Sequence, residues 1–280
     1  MIKVDFHVHT SASDGILPPA QVVNRAKING LKYLAITDHD TLSGLNEGFS
    51  ESLKENITLI PGIELSTEYN NESVHILGFF KGDSYKDNIL TAELAKIKNH
   101  RIIRAEKIVS KLKSEFNIVV DFDKILKSAP DTVARPHIAR AIIDEGYDYS
   151  FEEIFEKFIG KDCKAYVPTS KLSTKDGISL LKKYNALVFL AHPKLINNTP
   201  ISEFLNMELD GIEAIYYQNT YDETKEFIKL ANENNLLISC GSDFHGNIET
   251  DLRHGDIGAL EIPNEYLIKL LHALDISPTI

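Results

Sequence analysis

Residues 33–40 read YLAITDHD. The first four, residues 33–36, are apolar and have polar neighbours, which is the pattern of a short buried strand. An imidazole and two carboxylates follow immediately in Thr37-Asp38-His39-Asp40. Metal-ligating side chains placed directly after a buried strand predict that the strand ends at a metal site.

The same arrangement, an apolar run followed by ligand residues, recurs along the chain. The further segments of this kind are His7-Val8-His9, Gly62-Ile63-Glu64, Val74-His75, Ala191-His192-Pro193 and Ser242-Asp243-Phe244-His245. A single histidine is usually a packed or solvated side chain. Imidazoles and carboxylates repeated at the same place in successive strands need a shared cause, and a site for several metal ions supplies one.

Strand and helix patterns alternate through most of the sequence. The predicted strands are residues 2–6, 33–36, 57–60, 74–79, 187–190, 212–216 and 236–239, and the predicted helices are residues 19–28, 42–54, 174–184 and 221–234. Thr41 is the expected cap of the second helix. The alternation predicts parallel βα units, and the loops at the carboxyl ends of the strands form the active site of a βα barrel.

The interval from His75 to His192 is longer than one or two βα units of roughly 30 residues each would need. It contains helix-like patterns over residues 91–113, 122–127, 135–144 and 151–158, and an extended pattern returns at Ala165-Tyr166-Val167-Pro168. We therefore expect a barrel domain of residues 1–90 and 166–280, with residues 91–165 inserted as a helical cap over its rim.

The composition limits the class of protein. A length of 280 residues accommodates one large domain or two smaller ones, and the formal net charge of −11 argues against nonspecific binding to duplex DNA. A signal-peptide pattern and a membrane-length apolar run are absent, so we expect a cytoplasmic protein without a membrane partner. Cys163 and Cys240 cannot form a disulfide framework or a paired-thiolate metal site.

The ligand motifs, in this order, resemble the signature motifs of the PHP (polymerase and histidinol phosphatase) superfamily, which is related to the amidohydrolases. Three segments of the insertion and its exit resemble, more narrowly, the nucleotide 3′,5′-bisphosphate phosphatases and RNA 5′-end exonucleases of that superfamily. These segments are Arg135-Pro136-His137-Ile138-Ala139-Arg140, Phe155-x-x-Phe158-Ile159-Gly160 and Ala165-Tyr166-Val167-Pro168. The resemblance implies an α/β fold, a distorted TIM-like (β/α)7 barrel of PHP type with an inserted helical cap.

The resemblance also implies two or three divalent metal ions, Mn, Fe or Zn. The first would be held by His7, His9, Glu64 and Asp243, the second by Glu64, His75 and His192, and the third by Asp14, His39 and His245. Three or four imidazole and carboxylate ligands for each ion leave open positions, as catalytic sites do. Some relatives have His where this chain has Asp14, and His75 lacks a distinctive motif. A weaker third ion, and a packed imidazole at residue 75, therefore stay open as alternatives.

Four residues of the insertion are candidates for binding the substrate: Arg101, Arg104, Arg135 and His137. Arg135 and His137 flank a proline at a predicted helix start, where backbone N–H groups favour an anion. Arg101 and Arg104 lie one turn apart on a lysine-rich helix and could equally face solvent. The histidines expected to be surface or packing residues are His100, His254 and His272.

These inferences predict a metal-dependent phosphoesterase that hydrolyses a phosphomonoester of a small nucleotide, a nucleoside 3′,5′-bisphosphate, by a metal-activated hydroxide. The residues expected to act in catalysis are Glu64, Asp243 and His192. Asp38 and Asp40 are expected to be outer acceptors that orient an imidazole, with assistance in proton transfer by one of them as the alternative. The alternatives are 5′-to-3′ exonuclease action on short RNA 5′ ends and hydrolysis of histidinol phosphate. A noncatalytic metal-binding scaffold is disfavoured because all nine ligand residues are present.

Overall fold

The structure is a computed structural model that describes residues 1–129, 133–168, 172–246 and 253–278. The strands are β1 (Ile2–Lys3), β2 (Tyr33–Ile36), β3 (Thr58–Tyr69), β4 (Glu72–Phe80), β5 (Leu172–Ser173), β6 (Ala186–Leu190), β7 (Gly211–Tyr216), β8 (Leu237–Gly241) and β9 (Glu261–Ile262). The α-helices are α1 (Pro19–Ile28), α2 (Leu45–Glu55), α3 (Asn88–Phe116), α4 (Phe122–Ser128), α5 (Arg135–Asp144), α6 (Phe151–Ile154), α7 (Thr174–Lys183), α8 (Ile201–Phe204), α9 (Tyr221–Glu233) and α10 (Asn264–Ala273).

The fold is a mixed α/β fold around one curled sheet with the strand order β2-β3-β4-β6-β7-β8, in which β5 also pairs with β3. The pair β2-β3 and the run β6-β7-β8 are parallel, as expected. The prediction of parallel units throughout was wrong, because β4 is antiparallel to both β3 and β6. Asn70 and Asn71 join β3 to β4 with φ angles of 48° and 61°. Two residues with positive φ form a tight hairpin turn, which can join only antiparallel strands.

The chain between β1 and α1 lies beside both β2 and β8. Phe6 donates a backbone hydrogen bond of 2.9 Å to Cys240, and Ala35 donates one of 2.8 Å to Asp5. The predicted strand at residues 2–6 is therefore regular only in β1, which pairs with β9, and continues as isolated bridges. This segment brings the first histidine motif to the motifs that follow β2 and β8.

The helices follow the predicted periodicity closely. Helices α1 and α5 have the predicted bounds, whereas α2 begins at Leu45 and its preceding residue is Gly44. Thr41 accepts from the backbone of Ser43 instead of capping this helix. In the insertion, α3 begins after Asp87, whose carboxylate accepts from the backbone N–H groups that open the helix. The last helix of the insertion, α6, continues as a π-helical turn.

The apolar side chains form three buried clusters. Two of them pack on the curled sheet and include Val8, Ile63 and Ile212 in one and Phe6, Phe79 and Phe189 in the other. The buried members of the third cluster all lie between Ala105 and Ala165. The helices of the insertion therefore bury their apolar faces mainly against one another. Among the described residues, no helix combines the length and the apolar character that crossing a bilayer requires.

Candidate metal centre

Glu64 lies at the centre of the predicted ligands. It is in the middle of β3 and only 1% exposed. Its Oε1 atom lies 2.8 Å from Nδ1 of His75 and 2.9 Å from Nε2 of His192. The expectation that every ligand lies at or near the carboxyl end of a strand was wrong for Glu64, which lies inside β3, and for His75, which lies near the amino end of β4. The hairpin reverses β4 and so brings this imidazole to the same place as Glu64.

The other carboxylate oxygen of Glu64 faces the first histidine motif. Oε2 lies 3.2 Å from Nε2 of His7 and 3.1 Å from Nε2 of His9. Oδ1 of Asp243 lies 3.4 and 3.2 Å from the same two nitrogens. All four side chains are buried, and His7 Nε2, His9 Nε2 and Glu64 Oε2 make no hydrogen bond. Buried polar atoms without partners are costly, and a cation bound among these four residues would satisfy them.

A third group adjoins this one. The ligand atoms of His9, Asp14, His39 and His245 all lie within 4.8 Å of one another. Asp14 Oδ1 is 3.3 Å from Nε2 of His245, and Asp14 Oδ2 is 4.0 Å from Nε2 of His39. Nδ1 of His39 lies 3.1 Å from Glu64. The structure thus brings all nine predicted ligands to one place, around a single shared carboxylate.

The charges at the centre stabilise one another. Burial would lower the pKa of His9, but the neighbouring carboxylates of Asp243 and Glu64 raise it to about 10. Burial would raise the pKa of Glu64, but the imidazoles of His39 and His7 hold it well below its usual range. For His39 burial dominates and lowers the pKa to about 3. Ionised carboxylates beside imidazoles are a suitable donor set for divalent cations.

Asp38 and Asp40 support the centre differently from the expectation. Asp38 accepts hydrogen bonds from the backbone of Thr10 at 2.7 Å and from the hydroxyl of Ser13 at 2.6 Å. It therefore holds the loop that carries Asp14. Asp40 accepts from the backbone of Ser66 and from the guanidinium of Arg101. Both aspartates fix loops around the imidazole of residue 39.

Three arginines of the insertion lie near one another, and one of them, Arg101, contacts Asp40 next to His39. Arg104 donates to the carbonyl of Val167 at 2.8 Å, and burial together with the charges of Arg135 and Arg101 lowers its pKa to about 10. The guanidiniums of Arg104 and Arg135 both lie over the ring of Tyr166, at 5.8 Å from its centroid. Arg101 also donates to the hydroxyl of Ser66.

His137 lies in the first turn of α5 and is 6% exposed. Its Nδ1 atom accepts a hydrogen bond of 3.0 Å from the backbone of Ala134. Burial lowers the pKa of His137, and the charge of Asp14 and the backbone of Ser13 act in the opposite direction. The start of α5 therefore contacts the loop that carries Asp14.

Three residues that the sequence analysis did not place in the centre also contact it. His254, expected to be a surface or packing residue, packs against the centre: its Nε2 atom lies 3.6 Å from Asp243 and its ring centroid is 4.2 Å from that of His245. Glu213 and Tyr216, both on β7, make hydrogen bonds to predicted ligands. A glutamate inside the apolar run at residues 211–216 was an available signal. For His254 no motif was available.

A cavity of about 460 Å³ opens next to Arg101. Its walls include Asp40 and Ser66, which belong to the surroundings of the centre, and apolar side chains such as Ile97 and Leu180. His100, expected to be a surface residue, also lines it. The cavity has the size and the mixed polar and apolar lining typical of small-molecule sites.

Comparison with known proteins agrees with this arrangement of ligands. The model of the PHP domain family matches residues 5–259. The chain belongs to the PHP family. Relatives of this PHP protein include a 3′,5′-nucleoside bisphosphate phosphatase of Chromobacterium violaceum, 28% identical over 88% of each chain. A 5′-3′ exoribonuclease of Haemophilus influenzae is 31% identical over 87% of this chain and 90% of its own.

Solved structures are similar over nearly the whole chain. One is a protein of Bifidobacterium adolescentis described as a metal-dependent phosphoesterase, with a TM-score of 0.83 and 26% identity over 96% of both chains. Another is an amidohydrolase of Chromobacterium violaceum with bound sulfate and no metal, with a TM-score of 0.83 and 27% identity over 97% of this chain and 96% of its own. Family and relatives together show that this PHP protein is a phosphoesterase.

Proposed function

We propose that this PHP protein hydrolyses a phosphomonoester of a small nucleotide, a nucleoside 3′,5′-bisphosphate. The observation that carries the proposal is a group of three arginines: Arg101 contacts Asp40 beside the predicted ligand His39, and Arg104 and Arg135 both lie over the ring of Tyr166. A substrate with two phosphates needs two places for anions. Cations in the centre would serve the reacting phosphate, and the arginines would serve the other.

The metal ions are proposed to be two or three of Mn, Fe or Zn. His7, His9, Glu64 and Asp243 would hold the first, Glu64, His75 and His192 the second, and Asp14, His39 and His245 the third. When bound, such ions lower the pKa of water and neutralise charge on a transferring phosphoryl group. Glu64, Asp243 and His192 contribute to catalysis by holding donor atoms in place, because each one is fixed by contacts with other members of the centre.

The fold is proposed to be the distorted (β/α)7 barrel of PHP type with a helical cap. The backbone of residues 5–9 makes hydrogen bonds to β2, to β8 and to the residues that follow these two strands. These bonds support closure of the sheet. The separate apolar cluster between Ala105 and Ala165 supports a cap of residues 91–165 on a barrel of residues 1–90 and 166–280.

The second phosphate is proposed to bind where α5 begins. The first turn of this helix contains Arg135 and His137, whose side chains would supply the charge and the donors for an anion. Arg104 lies near enough for its pKa to be lowered by the charge of Arg135. An anion would relieve this repulsion between like charges, so its binding would be favourable. The cavity beside Arg101 is proposed to take the nucleoside.

A release assay tests the proposed reaction. The purified protein, supplied with Mn²⁺, is offered a nucleoside 3′,5′-bisphosphate, histidinol phosphate or short 5′-phosphorylated RNA, and free phosphate and mononucleotides are counted separately. We expect phosphate released from the bisphosphate to dominate. A higher kcat/KM for histidinol phosphate would refute the proposed substrate class.

Exonuclease action on RNA 5′ ends is the second candidate. The observation that favours it is the 31% identity to a protein named as a 5′-3′ exoribonuclease. A phosphate at the arginines and a neighbouring phosphodiester at the ions would use the same two anion places. The release of mononucleotides from RNA as efficiently as phosphate from the bisphosphate would support this candidate over the first.

A further inference from the structure

We infer that Glu213 and Tyr216 of β7 are positioning residues for the metal centre. Neither belongs to the proposed ligand set, yet together they contact three of its members: His7, His192 and Asp243. Each contact uses an atom other than the one that faces the neighbouring ligands: Nδ1 of His7, the backbone N–H of His192 and Oδ2 of Asp243. The inference rests on the proposed metal ligands and is independent of which phosphoester is the substrate.

Glu213 fixes the imidazole of His7. It is fully buried, and its Oε1 atom lies 2.9 Å from Nδ1 of His7. A carboxylate at this distance accepts a hydrogen bond from the Nδ1–H group. The lone pair of the neutral ring is therefore on Nε2. Nε2 is the atom that faces Glu64 and Asp243. The contact therefore selects both the tautomer and the ring orientation that binding of the first ion requires.

The second oxygen of the same carboxylate fixes the backbone of His192. Glu213 Oε2 accepts a hydrogen bond of 2.6 Å from the backbone N–H of His192. His192 has φ 26° and ψ 64°, a left-handed conformation that side chains with a Cβ rarely adopt. Such a conformation persists only where neighbouring groups hold it. One glutamate thus holds a ligand of the first ion and a ligand of the second.

Tyr216 acts in the same way on Asp243. Its hydroxyl donates a hydrogen bond of 3.0 Å to Oδ2 of Asp243, which leaves Oδ1 directed at His7 and His9. The phenol is the donor in this pair, because the oxygen of an ionised carboxylate can only accept. The carboxylate is held with one oxygen available to an ion.

The shape of β7 explains how both side chains reach the centre. Residues three apart on a regular strand point to opposite faces, but the pairing of β7 with β8 shifts register between Ile212 and Ile215. Gly241 of β8 pairs with Tyr216, and a Cβ at this residue would lie 2.3 Å from Oε1 of Glu213 and 2.3 Å from Cβ of His7. A side chain at residue 241 would displace the contact.

The test is a calorimetric titration of metal-free protein with Mn²⁺. The variants are Glu213→Gln, which keeps only one oxygen acceptor, Tyr216→Phe, and Ile212→Val as a control in the same strand. We expect Glu213→Gln to lower the affinity for the ions that His7 and His192 would bind by about 10- to 100-fold. The affinity for the ion at Asp14 should not change. Tyr216→Phe should lower only the affinity for the ion that Asp243 would bind. The control should bind Mn²⁺ with the affinities of the wild type.

A second readout separates positioning from a role in folding. The metal-free variants should keep the circular dichroism spectrum of the wild type, and saturating Mn²⁺ should restore most of the kcat of Glu213→Gln. Affinities equal to the wild type in Glu213→Gln would overturn the inference, while the metal centre would stand. An equal loss of affinity at every ion site, together with a lower unfolding temperature, would also overturn it. A wild-type protein that binds no ion would overturn the proposed metal centre itself.

Discussion

Arg101 of the insertion donates through two guanidinium nitrogens to one carboxylate oxygen of Asp40, the residue directly after the predicted ligand His39. The arginine side chain is 13% exposed and the aspartate 1%. This ion pair links helix α3 to the loop that follows β2. The insertion and the metal centre are therefore joined by a buried charged contact, which a solvated helix face would not provide.

Arg101→Ala should destabilise the protein, because it leaves the buried carboxylate of Asp40 without its cation. The expected loss in the free energy of unfolding is about 3 kcal/mol. The control is Arg25→Ala, which breaks the pair with Asp256, where both side chains are about one-third exposed. Its cost should be below about 1 kcal/mol. Urea denaturation of both variants measures the difference, and equal costs would contradict the importance of burial.

Asp243→Asn should abolish turnover and leave the fold intact. The amide lacks the charge that the first ion requires, and its burial without a cation costs less than that of a carboxylate. Elemental analysis should show fewer bound ions, with circular dichroism unchanged. Asp210→Asn is the control, since Asp210 accepts from the backbone of Val188 away from the centre. A fully active Asp243→Asn enzyme would refute the ligand set.

Arg135→Ala should mainly raise KM, because the arginine is proposed to bind the phosphate that does not react. A lost charged hydrogen bond predicts a fall in kcat/KM on the order of 10- to 100-fold. Steady-state kinetics with a bisphosphate and with the matching monophosphate should show the effect only for the bisphosphate. Lys127→Ala, an exposed residue of the insertion, should leave both constants unchanged.

Metal binding should release protons and strengthen as the pH rises. In the metal-free protein the pKa of His9 is raised to about 10, so this ring is protonated at pH 7 and must lose a proton to become a ligand. Affinity should rise by about tenfold per pH unit up to that pKa for each proton displaced. His39, with a pKa lowered to about 3, is already neutral and adds no proton. Calorimetry in two buffers of different protonation enthalpy measures the release; uptake of protons would be inconsistent with these shifts.

Most of the fold was predictable because the periodicity of its elements is strong. The helix bounds of α1 and α5 were predicted without error, and the hydrophobic strands were found in order. The direction of β4 was missed although Asn70 and Asn71 are typical hairpin residues, since the strands on either side were read as separate units. Helix α10 and strand β9 were missed as well.

The gathering of the candidate ligands at one place was predictable because most of them occur in compact motifs. The residues that hold the candidate ligands in place were harder to predict, since their roles depend on contacts between segments that are distant in sequence. Glu213 lies 206 residues from His7 in sequence, and only the folded sheet brings the two together. The pairing of Arg101 with Asp40 is of the same kind.

The nine proposed ligands extend from His7 to His245, almost from one end of the chain to the other. A filled centre would therefore act as a noncovalent staple that closes the longest loops in the protein. The chain would have to release its ions before it could unfold, since the unfolded state cannot gather these side chains. The unfolding temperature would then rise with the concentration of free metal. A chelator would lower the stability of the protein as well as abolish its activity.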